Sequence, residues 1–422
     1  MTEASPADTQ AAERAAIERP VEIGPLGLVP FRRYWVAAAC GSTAGQIMSV
    51  ALGWQVYALT HDPLDLGLIG LAQFLPALLL ALPAGHAVDR FRRRTILRGC
   101  MIVYTCVSLA LGLGALTGMI GVGWVFLLAG CFGAARAFEF PAGSALLAGL
   151  VPRGTLPRAV ALTSSARQTA SILGPALGGA LYAFGPTACY AACVLAYGTA
   201  LAMILLLPQA APVAREKASL ASVFAGLKFI WQRPAILGSI SLDLFAVLLG
   251  GATALLPIYA RDILEIGPFG LGVLRSGPAI GALMVAAILA RWPLRRRNGP
   301  AMLAGVVLFG LATCVFAVSQ NFWLSLAALV TLGAGDMISV YVRLSLVQLR
   351  TPDAMRGRVS AVNGIFIGTS NQLGEFESGL TAAWFGAVPA AFLGGVGTLV
   401  VAVAWAALFP ELRRIDRLDA EK

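Results

Sequence analysis

Long apolar runs alternate with short turns along this chain, and every second turn is basic. The runs cover about 34–59, 64–87, 95–118, 121–149, 159–184 and 186–208, and again about 235–260, 269–291, 300–318, 321–348, 359–384 and 387–409. Each is long enough to cross a hydrocarbon core of roughly 30 Å as a helix. Backbone polar groups in such a core have no water to bind, so helices are what these runs predict. The pattern therefore predicts an all-α polytopic membrane protein with 12 transmembrane helices in two six-helix halves, 34–208 and 235–409. Between them, 209–234 read as a cytoplasmic linker in which Leu220 to Trp231 has the spacing of an amphipathic helix. Residues 1–33, rich in Ala, Glu and Pro and without an apolar core of signal-peptide length, read as a disordered cytoplasmic tail, and 410–422 read as a charged cytoplasmic tail.

Arginine orients the bundle. Alternate turns hold Arg90, Arg92, Arg93 and Arg94, then Arg153 and Arg158, then Arg291, Arg295, Arg296 and Arg297, whereas the intervening turns hold one basic residue, Arg261. Basic clusters stay on the cytoplasmic side, which predicts both termini inside a bacterial cytoplasmic membrane. Composition agrees: 58% of the 422 residues are hydrophobic and 12% charged, against ~45–50% and ~25% in soluble domains. A net charge of +10 spread over short turns marks topology rather than a nucleic-acid-binding face. The seven cysteines fall in apolar runs without metal or disulfide spacing and read as small packing residues. The two histidines, His61 and His86, sit at a span boundary and in a basic turn. They join no catalytic or metal-ligand set, so neither an enzyme nor a metal or cofactor is expected. With no nucleotide-binding glycine loop, an ion gradient remains as the energy source.

An internal repeat defines the architecture. Val151 to Gly179 lies over Thr351 to Gly379 without a gap, at a shift of 200 residues, matching Pro152/Pro352, Arg158/Arg358, Thr169/Thr369, Gly174/Gly374 and Gly179/Gly379. The same shift pairs Gly133 with Gly333 and Arg136 with Asp336. Two related six-helix halves about an axis along the membrane normal imply a substrate path between them.

Polar residues inside the spans are where transport chemistry belongs, because an ionisable group in hydrocarbon is costly unless it faces a cavity or a partner. In the fourth span Arg136 and Glu139 are three apart, on one helical face, and can neutralise each other. In the tenth, Asp336 and Arg343 share a face, and the repeat suggests that Arg136 and Asp336 face one another across the path. In the eleventh, Asn363, Asn371 and Glu375 form a ladder with Gln372 beside them and Glu377 on another side. A carboxyl group removed from water favours its protonated form. Glu375 is thus the leading candidate for proton coupling, followed by Asp336, Asp243 of the seventh span and Glu139. The alternative for these groups is an interhelical hydrogen bond or a charge network that holds the halves together. Gln46, with Ser42 and Ser49 on its face, Arg136, Arg167, Gln168, Asn371 and Gln372 are candidate cavity residues, the arginines suiting an anionic substrate.

Two motifs carry a resemblance. Gly85, Asp89, Arg90, Arg93 and Arg94 stand at the spacing glycine, three residues, aspartate, arginine, basic cluster, which resembles the loop between helices two and three of the major facilitator superfamily. There the aspartate sits against the start of helix eleven and latches one conformation, a role the resemblance extends to these five residues. Gly174, Pro175, Gly178 and Gly179 on the fifth span resemble the antiporter motif of exporters in that superfamily, with Ala161 and Ala170 where the family has glycines. The same stretch also reads as a packing motif, since proline removes a backbone donor and glycines admit a neighbouring helix.

Further strings, Leu59 to Pro63, Ala254 to Leu264 and Met355 to Asn363, are similar to the bacterial exporter branch that includes the enterobactin exporter. The resemblance runs from Arg32 to Pro410. It implies a monomeric transporter in membrane lipid that exports a siderophore, drug-like compound or other amphipathic molecule in exchange for protons, by alternating access. An uptake permease or lysophospholipid flippase on the same fold is the alternative.

Overall fold

The computed structural model describes residues 24–208 and 220–416; residues 1–23 of the expected tail, the start of the linker and residues 417–422 lie outside the described residues, whereas residues 29–33, expected in that tail, already belong to the first helix, with Phe31 buried. The first half contains α1 (Val29–Thr60), α2 (Pro63–Arg90), α3 (Arg93–Thr117), α4 (Val122–Leu150), α5 (Leu156–Tyr182) and α6 (Pro186–Leu205). The linker helix is α7 (Leu220–Trp231). The second half contains α8 (Pro234–Leu249), α9 (Gly267–Arg291), α10 (Asn298–Val318), α11 (Phe322–Arg350), α12 (Asp353–Phe385) and α13 (Ala387–Leu408), followed by the short α14 (Pro410–Arg414).

Among the described residues, 10 segments are long and apolar enough to cross a membrane, with Pro234–Ile263 counted as one. The two long helices that fall short of that standard are α5 and α12, the pair matched by the repeat. Both pack against the opposite half, α5 on α9 and α12 on α2. Their polar residues are tolerated because that surface is turned towards the other half rather than towards lipid.

The seventh span is not one continuous helix. It breaks at Gly250 and Gly251 and continues through the short turns Ala252–Leu255, Leu256–Ile258 and Tyr259–Ile263. The cause is crowding by α12 and α10: a Cβ on Gly251 would lie 2.4 Å from the Gly374 carbonyl oxygen, and one on Gly250 would lie 2.4 Å from the Phe309 ring.

The halves repeat each other in contacts as well as in sequence. α2 packs on α4 as α9 packs on α11, and α3 on α6 as α10 on α13. A Cβ on Gly133 would meet the Gln73 carbonyl oxygen at 1.9 Å, and one on the matched Gly333 would meet that of Pro278 at 1.9 Å. Each half has an apolar core of its own, the first around Met48, Tyr104, Leu111 and Tyr197, the second around Leu242, Met302, Val342 and Leu346.

Between the halves, backbone meets backbone through glycine. A Cβ on Gly272 of α9 would lie 2.4 Å from the Pro175 carbonyl oxygen and 3.0 Å from Gly179 Cα. A Cβ on Gly379 of α12 would lie 2.7 Å from Gly67 Cα on α2. Gly179 and Gly379 are repeat partners, so one contact is made twice. Both contacts lie towards the end of the bundle away from the basic turns. At that end Val50, Tyr57 and Leu66 of the first half join Leu255, Tyr259 and Phe316 of the second in one buried cluster. Tyr57 donates a hydrogen bond to Asp262 across the join, and Arg261 lies over the Tyr57 ring at 5.9 Å. The halves are thus closed against each other at this end.

At the basic end, α7 forms where the spacing predicts it and sets Ile230 against Val359 and Val362 of α12. The first part of the expected charged tail is docked. Leu412 and Ile415 are buried, Gly299 N–H donates to the Ile415 carbonyl at 2.9 Å, and Arg297 N–H donates to Asp416 Oδ1 at 2.9 Å.

Candidate functional site: a charged seam between the halves

Helix α12 carries Glu375 and Gln372 towards α2, and Gly70 receives them. A Cβ on Gly70 would lie 2.9 Å from Glu375 Oε2 and 3.7 Å from Gln372 Oε1, so glycine makes the space the carboxylate occupies. Arg275 of α9 donates from Nη2 to Ser49 Oγ of α1 at 2.7 Å, a bond between the halves. Both Arg275 and Arg136 of α4 lie within electrostatic reach of Glu375. The seam therefore assembles Ser49, Gly70 and Arg136 from the first half with Arg275, Gln372 and Glu375 from the second. Arg275 is the member the sequence reading leaves out. Its signal was available, since an arginine inside an apolar run needs a partner or a cavity.

The other cavity candidates divide. Gln46 packs its side chain on Gly174, where a Cβ would lie 2.5 Å from Gln46 Cβ, and Gln168 Nε2 approaches the Ala279 carbonyl of α9 at 3.5 Å. Asn371 is exposed and donates to the Ile367 carbonyl of its own helix at 2.8 Å. Asn363, expected on the Glu375 ladder, is turned into its own half, where its Oδ1 accepts from Arg343 at 3.3 Å. The twelve-residue step from Asn363 to Glu375 carries them about 120° apart around a 3.6-residue helix, which is why the ladder does not hold over its full length.

The pairings expected among the buried charges are redrawn. Glu139 accepts from Tyr104 Oη at 2.7 Å and lines a small cavity with Arg167, Tyr34 and Ser42, while Arg136 is exposed and reaches Glu375. Arg167 lies over the Phe140 ring at 5.8 Å. Asp336 does not face Arg136: its charged neighbours are Asp243 and Arg343 of its own half. Arg343 is 2% exposed and is paired with Asp243 at 3.0 Å.

The glycines of the fifth-span motif all serve packing. Gly174 and Gly178 receive α1, and Gly179 receives α9, with Pro175 buried between them. In the turn after α2, Arg93 Nη1 donates to the Ala145 carbonyl at 3.1 Å and Arg94 donates to the Leu205 carbonyl. Leu205 ends α6, where the backbone acceptors lack helical partners and a cation is favoured, whereas Ala145 lies more than a turn inside α4. Gly85 is half-buried and Arg90 exposed; the Asp89 side chain lies outside the described residues.

Two six-helix halves related by a repeat, joined along α2 with α12 and α5 with α9 and carrying charged groups at the seam, define a transporter of the major facilitator fold. The chain belongs to the transmembrane secretion effector family of that superfamily, whose model matches residues 21–422. The multidrug efflux pump Tap of Mycolicibacterium fortuitum is 28% identical over 420 residues, covering 93% of this chain and 97% of that protein. The enterobactin exporter EntS of Citrobacter koseri is 27% identical over 399 residues, covering 91% and 92%. Among solved structures, the bacterial homologue of the human lysosomal transporter Spinster, inward-facing and unoccupied, superposes with a TM-score of 0.68 at 15% identity, over 91% of this chain and 96% of that one. The protein is a multi-pass membrane transporter of small molecules and not an enzyme.

Proposed function

We propose that this chain exports a small amphipathic or anionic molecule from the cytoplasm in exchange for protons. It works by alternating access as a monomer in a bacterial cytoplasmic membrane, with both termini inside. The observation that carries this reading is the position of Glu375, seated on Gly70 of the opposite half with Arg136 and Arg275 in reach. A proton shifts a two-state equilibrium only through a difference in its affinity for the two states. Opening the closed end withdraws Gly70 and Arg136 from Glu375 while Arg275 travels with it. The carboxyl group then meets a different charge environment in each state, as coupling requires. Exchange in the export direction needs Glu375 to take its proton from outside and release it to the cytoplasm.

Gln46, Arg136, Arg167, Gln168 and Gln372 supply the polar contacts of the substrate path. The Gly174 to Gly179 stretch supplies the close approach about which the halves rock, and the turn from Gly85 to Arg94 latches the basic end when it closes. The direction is supported by the relatives Tap and EntS, both named for efflux or export.

The test is proton movement in proteoliposomes of the purified protein, with siderophores and amphipathic drugs supplied on either side. Compound-dependent proton flux that disappears in Glu375→Gln, at normal yield of folded protein, is expected. Flux with unchanged pH dependence in that variant would remove Glu375 from the role.

A further inference from the structure

The turn between α9 and α10 is the second-half counterpart of the turn after α2. It keeps Arg291, Arg295, Arg296 and Arg297 but has no acid of its own. An acid arrives from the far end of the chain instead. Arg297 N–H donates to Asp416 Oδ1 at 2.9 Å, and Asn298 Nδ2 donates to the Asp416 carbonyl at 2.8 Å. Gly299 is the seat of this docked tail: a Cβ there would lie 1.8 Å from the Leu412 carbonyl oxygen.

The same docking adds two arginines to the turn, Arg413 and Arg414 of α14. All six are exposed, against two acids in these segments, Glu411 and Asp416. Like charges drawn together repel one another, so the cluster favours an anion from outside the chain. The first half shows the contrast, because there Arg93 and Arg94 are spent on the Ala145 and Leu205 carbonyls. Among the described residues, no hydrogen bond or ion pair occupies the side chains of Arg295, Arg296, Arg297, Arg413 or Arg414.

The surroundings say which anion fits. Exposed apolar side chains, Val400, Val403 and Leu408, lead along α13 to α14, and Trp292, 68% exposed, stands at the end of α9. Apolar surface of that kind on a spanning helix meets acyl chains, and a tryptophan at the end of a span sits at the level of the headgroups. The arginines therefore lie at the depth of lipid phosphates, whose oxygens match the guanidinium fork. Basic clusters next to a span attract anionic lipid.

We propose that the docked C-terminal tail and the α9–α10 turn together form a binding surface for an anionic phospholipid of the leaflet at the basic end. Its phosphate pairs with Arg295, Arg296, Arg297, Arg413 and Arg414, and its acyl chains lie along α13. The surface exists only while the tail is seated on Gly299.

Native mass spectrometry of the full chain in detergent, titrated with phosphatidylglycerol and separately with phosphatidylcholine, tests this. Phosphatidylglycerol should bind the more tightly. Arg295→Gln with Arg296→Gln, or Arg413→Gln with Arg414→Gln, should each weaken it about 25-fold, at roughly fivefold per arginine. Arg32→Gln with Arg98→Gln, two exposed arginines at the same end of the first half, should leave it unchanged. Gly299→Ala keeps every charge but unseats the tail, and should weaken phosphatidylglycerol as well. Equal binding of the two lipids, an equal loss in the Arg32 and Arg98 variant, or full binding in Gly299→Ala would overturn the proposal. So would displacement by inorganic phosphate beyond that by sodium chloride of equal ionic strength, which would make a free anion the occupant. Proton exchange enters nowhere, so failure here leaves the Glu375 test standing on its own.

Discussion

Closing one end of the bundle depends on hydrogen atoms where side chains would otherwise be, and alanine at Gly272 puts a number on that dependence. Its Cβ would sit 2.4 Å from the Pro175 carbonyl oxygen, and the obstructing atom is backbone, which cannot rotate aside. A carbon–oxygen contact needs roughly 3.4 Å, so α5 and α9 must part by about 1 Å. Overpacking of this kind costs about 1–3 kcal/mol. The cost is borne by the closed-end state alone if the seam opens in the other state, so the ratio of the two falls about 5- to 150-fold.

The assay is electron–electron double resonance between spin labels at Met119→Cys and Trp323→Cys, both exposed at the closed end, in a background without the native cysteines. Gly272→Ala and the repeat-related Gly379→Ala should each move weight from the short to the long distances. Gly364→Ala, on α12 but with open space around it, should not. An unchanged distribution in Gly272→Ala with preserved unfolding temperature would show that the glycine contact does not set the equilibrium.

Tyr57→Phe removes the donor to Asp262 across the same join; at a partly exposed bond worth about 1 kcal/mol, the ratio of closed to open molecules should fall about fivefold in the same labelled background. Arg343→Met should cost about 3–5 kcal/mol in detergent unfolding, and Asp243→Asn less, because Asp336 remains as a counter-charge for Arg343; Asp243→Leu with Arg343→Met should recover most of the larger loss, and additive losses would mean that the pair is not coupled. Gly70→Ala crowds the mobile end of Glu375 rather than backbone, so proton flux should drop while the unfolding temperature stays close to the parent's. Arg275→Gln keeps a donor for Ser49 but not the charge beside Glu375, and should change the pH dependence of proton flux without loss of yield; an unchanged profile would uncouple the two residues.

The helices were legible because the hydrocarbon solvent allows little else, and the repeat was legible because the turns before α5 and α12 share a proline and the helices share arginine and glycine at one register. Charge partners were not. Arg136 and Glu139 lie three apart, yet Glu139 is held by Tyr104 and Arg136 reaches Glu375, because helix packing fixes which neighbouring helix each side chain meets. Asn363 and Glu375 share a helix but not a face, and only the long-range contacts reveal that. The break at Gly250 and Gly251 falls inside a run that reads as one span, because what crowds it, Phe309 of α10 and Gly374 of α12, is distant in sequence.

The repeat also shows how a symmetric frame comes to hold asymmetric chemistry. Gly67 corresponds to Gly272 and Gln73 to Pro278, an offset of 205 that places Gly70 over Arg275, just as the offset of 200 places Pro175 over Glu375. At one seam, then, a glycine of the first half faces a glutamate of the second; at the equivalent seam, a proline of the first half stands where an arginine of the second could meet a partner. Both charges belong to the C-terminal half, and at these four positions the N-terminal half presents only small or apolar residues. A charge pair split evenly between the halves would be separated at every opening and would oppose it with its full attraction. In the proposed mechanism, keeping Arg275 and Glu375 in one half would let that attraction persist through the motion, leaving the hydrogen bond to Ser49 and the field of Arg136 as what changes. If the halves exchange protons for substrate as proposed, the coupling energy is thereby confined to a few groups.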